Sequence, residues 1–455
     1  MSAFFSSPVY LRALGLTNAL GDGADAVVAS LRNGVAPGMG LMQTRTGPAY
    51  VGRVPTLPSW NDALQALHAG LPSGSARPVF AQWQAALSRY DCRHNRMLLA
   101  ALLQILPAIA DAITRFGAAR VGVVLGTSTS GIEAAEIAFQ TPSPSGSLPA
   151  SFDYRQMEIG SAGPLAARVL GVRGPAYTLS TACTSSGKAI AAARRLLRLG
   201  LCDAVITGGV DSLCELTLQG FASLASTSLT PTNPLSVNRR GINIGEGAAL
   251  FLMSREAGTT DKADKADEAD AASGARDSAE AAAIGGAGGV CLAGVGESSD
   301  AHHISSPDPA GVGGELALRM ALDDAGIAPE AIDYVNLHAT ATPKNDEMEA
   351  AMIARVFPAG VPVSGTKPLT GHTLGAASAT ELGLLYLMLT RDDMPIPPHC
   401  WDGQPDPALP ALDVVAPGRY LRRAAQTGSQ HGRRFLMSNS FAFGGNNISL
   451  IVGDR

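Results

Sequence analysis

The segment Ala176–Gly200, AYTLSTACTSSGKAIAAARRLLRLG, carries the reading of the fold. Its opening, Ala176 to Ala182, is a run of small and β-branched residues that reads as a short buried strand. From Ser185 onward, alanines and leucines recur at helical spacing, and no proline interrupts before Pro231. Cys183 therefore falls at a strand-to-helix turn, close to the unpaired N–H groups of a first helical turn. Such groups, with the helix dipole, favour a thiolate and can hold a developing oxyanion. A small buried cysteine that merely packs a tight turn fits the same letters. The segment alone leaves both readings open.

The surrounding chain repeats the pattern. VYLRALGL (Val9–Leu16) reads as an opening strand, followed by a helix at Ala24–Leu31 with Asp22 as its cap. Pro48–Ala76 is punctuated by Gly, Pro and Ser and reads as irregular. A helical pattern runs from Arg93 to Phe116 with a break near Pro107. RVGVVLGT and DAVITGG (Asp203–Gly209) are further buried strands. β-Branched runs alternating with Ala/Leu-rich helices identify an α/β fold.

Composition limits the function classes. The chain has 455 residues, 46% of them hydrophobic and 16% charged, enough for a large core. A net charge of −5 gives no general footprint for nucleic acid. No stretch has the length of a membrane span, and MSAFFSSPVYLRALGL lacks the basic start and apolar run of a signal peptide. Six cysteines lie scattered without C-x-x-C spacing, which fits a reducing cytoplasm.

Ala257–Gly289 is low in complexity and polar, with the triplets DKA-DKA-DEA, and reads as an exposed insertion without a catalytic role. It separates an N-terminal half, 1–256, from a C-terminal half, 290–455. The halves echo one another. VVLGTSTSG and VNLHATATP are both strands opening into Thr-rich turns. STACTSSGKAIAAA and LTGHTLGAASATEL both place a reactive residue before a small-residue helix.

Two histidines share the setting of Cys183. His338 follows the strand in DYVNLHATATPKND, and His372 lies in the Gly-Thr turn of VSGTKPLTGHTLGAASATEL, five residues after Lys367. One thiol and two imidazoles suit acyl transfer. Metal binding is the competing use of these residue types, but no ligand pair has helical i, i+4 or finger spacing, so no metal is expected. In SNSFAFGGNNISLIVG, Gly444 and Gly445 permit backbone geometry closed to other residues, so a backbone N–H there can face a site. A hairpin with Asn-rich turn chemistry fits as well.

TACTSS, HATATPKND, KPLTGH-x-LGAA and NSFAFGGNN, in this order, resemble the β-ketoacyl-acyl-carrier-protein synthases of the type I/II condensing class. RRGINIGEGAA is similar to that family's Arg/Gly segment before its Gly-Glu-Gly turn. The resemblance spans nearly the whole chain outside the insertion. It implies a thiolase fold, with two similar halves stacked as α-β-α-β-α layers, and a dimer. It also implies that Cys183 is the acylated nucleophile and that the N–H groups of Cys183 and Phe443 form the oxyanion hole. His338 and His372 would promote decarboxylation of malonyl-carrier protein, with Lys367 tuning them. Asp346, Glu349 and Glu381 fall at supporting acidic positions, and Phe443, Gly444 and Gly445 at the gate. No free cofactor is implied, because substrates ride on the phosphopantetheine arm of an acyl carrier protein.

Ala339, Ala341, Ala442 and Asn446 depart from the family's usual Gly, Ser, Gly and Thr. Because alanine is disfavoured at positive φ, these put gate movement and chain preference in question. NLHATATPKNDEMEA, LGLTNALG and TKPLTGHTLGAA resemble condensing enzymes of aryl polyene clusters, which implies a homodimer or a heterodimer with a chain-length-factor-like homologue. A degradative thiolase would need a second late cysteine, and Cys400 lies in an unrelated Pro-rich stretch. A starter-type enzyme would carry Asn where His372 stands. A non-catalytic chain-length factor typically lacks the cysteine. Arg194, Arg195 and Arg198, on the helix after Cys183, are either ordinary charges or a carrier-protein dock.

Overall fold

The computed structural model describes residues 7–72, 80–141, 146–257, 289–421 and 433–454. In chain order its strands are β1 (Tyr10–Asn18), β2 (Gly21–Asp22), β3 (Met39–Thr44), β4 (Gly47–Gly52), β5 (Val121–Gly126), β6 (Ala176–Leu179), β7 (Ala204–Asp211), β8 (Ile244–Gly245), β9 (Gly247–Ser254), β10 (Val290–Ser299), β11 (Ile332–Asn336), β12 (Pro362–Ser364), β13 (Asp413–Val414), β14 (Phe435–Phe441) and β15 (Asn446–Asp454). One half carries the order β6-β5-β7-β9-β1, and the other carries β12-β11-β14-β15-β10, with β13 added at the edge. Numbered within each half, both read 3-2-4-5-1. In both, the second strand is parallel to its two neighbours and the fourth and fifth are antiparallel. The two sheets join through a short antiparallel pairing of β1 with β10, at Tyr10–Cys291 and Leu11–Val290.

Strand side chains alternate between two buried faces, which is why these strands are apolar throughout. In β9, Ala248, Leu250 and Leu252 enter the outer core with helices α1 (Arg93–Gln104), α2 (Leu106–Phe116) and α3 (Ala162–Leu170). Ala249, Phe251 and Met253 point the other way, to a central core with α4 (Ser185–Arg198) and α7 (Ala377–Thr390). In β15, Ile448, Leu450 and Val452 face the same central core. Ile451 faces a third core beneath α5 (Val312–Ala325) and α6 (Pro343–Val356). The stack is thus α-β-α-β-α, with α4 and α7 between the sheets. That position explains α7, in which every residue from Ala377 to Leu389 is buried. A helix apolar on all sides requires packing on all sides.

The hint of duplication in the sequence has a spatial counterpart. Cys183 follows β6 and precedes α4, and His372 follows β12 and precedes α7, so the two occupy equivalent turns in the two halves. α4 and α7 also touch each other.

Several local expectations are corrected. The helix at Ala24–Arg32 begins at Gly23 with no side-chain cap. Asp22 instead sits in a two-residue strand and accepts from Gln104 Nε2. Pro48–Ala76 holds β4 and an amphipathic helix, Trp60–Gly70, capped by Ser59 and buried through Trp60, Ala63, Leu64 and Leu67. The break near Pro107 falls at Ile105, between two helices bent by 70°. Among the described residues no single helix is long and apolar enough to cross a membrane. Most of the Ala257–Gly289 stretch lies outside the described residues.

The arginines of α4 form ion pairs across the halves. Arg194 and Arg198 pair with Asp324 of α5 at 2.6 and 3.6 Å, and Arg195 pairs with Glu297 of β10 at 2.5 Å, beside Lys188 at 3.5 Å. They fasten the helix that carries Cys183 to the second half; Arg194 is buried, whereas Arg195 stays exposed.

Candidate active site

Cys183, His338 and His372 are 189 and fewer residues apart in sequence but converge on one cavity of about 330 Å³. Backbone geometry sets each of the three. Ala182 adopts a left-handed conformation (φ 53°) that turns the chain from β6 into α4, and the thiol ends up 5% exposed. The His338 turn holds two left-handed residues, Ala339 (φ 43°) and Ala341 (φ 58°). α6 stabilises it from below. Glu349 accepts the N–H groups of His338 (2.6 Å) and Ala339 (2.7 Å), and Asp346 accepts those of Ala341 (3.1 Å) and Leu235 (2.8 Å). These carboxylates, three residues apart on one helix face, fix a turn that would otherwise have unpaired buried N–H groups. Burial raises their pKa values, to about 6 for Asp346 and about 7 for Glu349, against the N–H donors that lower them.

His372 is held by the Gly-Glu-Gly segment. Its N–H donates to Asn243 O (2.7 Å) and its carbonyl accepts Gly245 N–H (2.8 Å). Its Nε2 lies 2.9 Å from Cys183 Sγ. The His338 ring stands edge-on to that of His372, with centroids 5.4 Å apart. Below them Lys367, fully buried, donates to Glu381 Oε1 at 2.6 Å. Glu381 is carried by α7, so the pair ties the Lys367–Thr370 turn to the central layer. Burial raises the Glu381 carboxyl, opposed by Lys367.

Burial pushes both imidazoles well below the usual histidine range, and the Lys367 ammonium pushes them further the same way. Both rings are therefore neutral near pH 7. Neither Nδ1 has a hydrogen-bond partner among the described residues, so no hydrogen bond at Nδ1 fixes either tautomer. Each Nε2 can present a lone pair or an N–H to the cavity.

The expectation of a favoured thiolate is corrected. Burial pushes the Cys183 thiol up to about 12, outweighing Lys367 and the N–H groups of Phe443 and Cys183, which all lower it. Burial thus favours the thiol over the thiolate, beside a neutral imidazole. The same two N–H groups lie where an oxyanion hole requires donors.

Phe443 stacks on Phe221 (centroids 5.1 Å, 29°) at the cavity wall. Its loop turns through Gly444 (φ 83°) and Gly445 (φ 77°), positions that favour glycine. Ala442 is not among the left-handed residues, so it brings no backbone strain to the gate. The loop is tied to a neighbouring segment by Asp300 N–H to Gly445 O (2.8 Å), Gly444 N–H to Ile304 O (2.8 Å) and Asn447 Nδ2 to Asp300 Oδ1 (2.6 Å).

Three supports escaped the sequence reading. Asp300 and Phe221 meet the gate from distant segments. Asp211, at the end of β7, accepts Thr127 Oγ1 (2.5 Å) and the N–H groups of Ser128, Thr129 and Gly375 (2.9, 2.9 and 2.5 Å). It joins the turn after β5 to the turn carrying His372. The one available signal was an acid ending a strand with every other residue apolar or small, AVITGGVD (Ala204–Asp211). Metal-type spacing is absent from the sequence, yet the ligand atoms of Cys183, His338 and His372 all lie within 4.8 Å of one another. The fold creates that grouping.

Comparison with known proteins agrees with this geometry. The family model for the β-ketoacyl synthase N-terminal domain matches residues 92–258, and that for the C-terminal domain matches residues 290–400. The 3-oxoacyl-[acyl-carrier-protein] synthase 2 of Vibrio cholerae serotype O1 is 32% identical over 382 residues, 80% of this chain and 84% of the relative. Nodulation protein E of Rhizobium meliloti is 32% identical over 337 residues, 73% of this chain and 75% of the relative. Among solved structures, a ketosynthase (ApeO) in complex with its chain length factor (ApeC) from Xenorhabdus doucetiae superimposes with a TM-score of 0.79. It has 39% identity and covers 99% of this chain and 98% of that one. A β-ketoacyl synthase from Burkholderia phymatum STM815 gives a TM-score of 0.73 at 26% identity, covering 99% of this chain and all of that one.

Proposed function

The chain belongs to the β-ketoacyl synthase family, and from that premise we propose how its own residues carry out decarboxylative condensation. It is a condensing acyltransferase. In the first half-reaction Cys183 Sγ attacks an acyl thioester on a carrier-protein phosphopantetheine arm. Its proton passes to His372 Nε2 and then to the departing pantetheine sulfur. The single observation that carries this assignment is the 2.9 Å contact between Cys183 Sγ and His372 Nε2 in the cavity that also holds His338. The tetrahedral oxyanion is held by the N–H groups of Cys183 and Phe443.

In the second half-reaction a malonyl thioester enters. His338 and His372 donate Nε2–H to its thioester oxygen, so the electrons of the breaking C–C bond move into an enolate as CO₂ leaves. The enolate carbon attacks the acyl-cysteine carbonyl, and collapse expels the Cys183 thiolate, which regains a proton from solvent through His372. Lys367, paired with Glu381, keeps both rings neutral. Asp346 and Glu349 hold the His338 turn. Gly444 and Gly445 let the Phe443 gate move. None of these steps uses a free cofactor or a metal.

We infer that the partners are an acyl carrier protein and a homologous subunit. The similarity to a ketosynthase solved with its chain length factor supports the second partner, alongside a homodimer as the family alternative. The intact Cys-His-His constellation supports the catalytic member of such a pair over a non-catalytic chain-length-factor-like subunit. The motifs shared with aryl polyene condensing enzymes support a polyene or polyketide pathway over a housekeeping fatty-acid role. The six cysteines form no disulfide, which supports a cytoplasmic setting. The boundary between catalytic halves is placed within Ala257–Gly289, supported by the repeated strand order on either side.

The test is intact-mass analysis of wild type and Cys183→Ala after incubation with acyl-carrier protein and then malonyl-carrier protein. The expected result is an acyl adduct on wild type alone, consumed as β-ketoacyl-carrier protein appears. A folded wild type that forms no adduct, with or without a homologous partner, overturns the assignment.

A further inference from the structure

Gly365 has an ordinary φ, so conformational freedom is not the reason for a glycine there. Space is the reason. A Cβ built on Gly365 would lie 2.4 Å from the Ala339 Cβ, well inside van der Waals contact, and 3.6 Å from Pro234 Cγ. The Ala339 methyl occupies the volume that a Gly365 side chain would need.

Neither residue can back away. Ala339 is fully buried, left-handed, and held through its N–H on Glu349 Oε2 at 2.7 Å. Gly365 donates its N–H to Nδ1 of buried His399 at 3.1 Å, and His399 Nε2 is fixed on Pro234 O at 2.9 Å. The neighbours that would absorb a collision are the catalytic ones. His338 adjoins Ala339, and Lys367 is two residues beyond Gly365. His338 and Lys367 come from different segments whose backbones pair through β11–β12 and Leu337 N–H to Ser364 O (2.9 Å), and this methyl-in-gap contact lies just past that pairing.

We propose that Ala339 and Gly365 form a size-matched positioning pair that sets His338 against Lys367 for the decarboxylation half-reaction. The pair acts through those two side chains and touches no substrate. This inference rests on the roles proposed above for His338 and Lys367. Cys183 acylation, which runs through His372 and the oxyanion hole, depends on the pair much less than decarboxylation does. A defect of folding alone would depress both half-reactions together.

The experiment compares wild type, Gly365→Ala, Ala339→Gly and the double variant. Three quantities are read for each: the acyl-Cys183 formation rate by intact mass, CO₂ release from malonyl-carrier protein, and the thermal midpoint. Gly365→Ala is expected to lower CO₂ release about tenfold or more while acylation stays within about threefold of wild type. Ala339→Gly, which empties the gap, is expected to lower CO₂ release about three- to tenfold while acylation stays within about threefold of wild type. The double variant is expected to recover CO₂ release to within about threefold of wild type.

Unchanged CO₂ release in a folded Gly365→Ala, or a loss that the double variant does not recover, overturns the pair. Equal loss in both half-reactions overturns the positioning role. Should Gly365→Ala be insoluble, a soluble and active double variant supports the pair, and an insoluble or inactive one overturns it. The catalytic assignment fails separately, by a wild type that forms no adduct, and the thermal midpoints of the four proteins then decide the pair.

Discussion

Lys367→Met separates the two consequences of the buried ion pair. Lys367 Nζ and Glu381 Oε1 are 2.6 Å apart, with both side chains almost wholly out of solvent. At an effective dielectric of about 20 their gross attraction is roughly 6 kcal/mol, most of it offset by desolvation of the two charges. Removing both partners should therefore change stability little, whereas removing Lys367 alone abandons a buried carboxylate at about 3–5 kcal/mol. Unfolding entropy of about 2.1 cal/mol/K per residue gives about 1 kcal/mol/K for this chain, so the single variant should melt roughly 3–5 °C lower. Lys367→Met/Glu381→Leu should recover most of that. The same substitution removes a positive charge that helps hold His338 and His372 below the usual histidine range. Because acylation needs neutral His372, the acid limb of its pH profile should move to higher pH in both variants. The shift should be similar in the two variants, because burial, no longer opposed by Lys367, protonates Glu381 in the single variant. The assays are thermal unfolding at pH 7.5 and the pre-steady-state acylation rate between pH 5 and 8. Equal stability of the single and double variants, or an acid limb unmoved in both, would refute the reasoning.

Further outcomes follow from the site geometry. His338→Ala should leave Cys183 acylation within a few-fold of wild type but slow CO₂ release by about 10²–10³, the usual loss for one oxyanion donor, read by intact mass and CO₂ trapping. Alkylation of the unacylated enzyme by iodoacetamide should keep rising about tenfold per pH unit between pH 7 and 10, because burial holds the Cys183 thiol near 12. A plateau below pH 9 would show a thiolate already formed. Phe221→Ala removes an aromatic stack worth about 0.5–1.5 kcal/mol, which should open the Phe443 gate more often. Acyl-enzyme hydrolysis should then rise about two- to tenfold, and an unchanged hydrolysis rate would show that the stack does not hold the gate.

The sequence by itself determined the strands and helices that flank Cys183, His338 and His372. Each of these has a local cause. Apolar runs mark strands buried on both faces, Ala/Leu spacing marks the packed helices, and small or Thr-rich turns leave Cys183, His338 and His372 uncrowded. Even the duplication left a local trace in matching strand–turn–helix phrases. Pro48–Ala76 failed at this level because its Gly, Pro and Ser hid the short amphipathic helix anchored by Trp60.

Tertiary structure decided what depends on residues far apart in the chain or on burial as a whole. The Cys183–His372 contact spans 189 residues, and the Asn447–Asp300 tie spans 147. No periodicity can register such pairs. Arg194 reads as either an ordinary charge or a docking residue until α4 is set against Asp324, where it is buried. The thiol's proton affinity went the opposite way from the turn's promise. N–H groups and dipoles act locally, but desolvation is set by every layer packed around the cavity, and here desolvation is the larger effect.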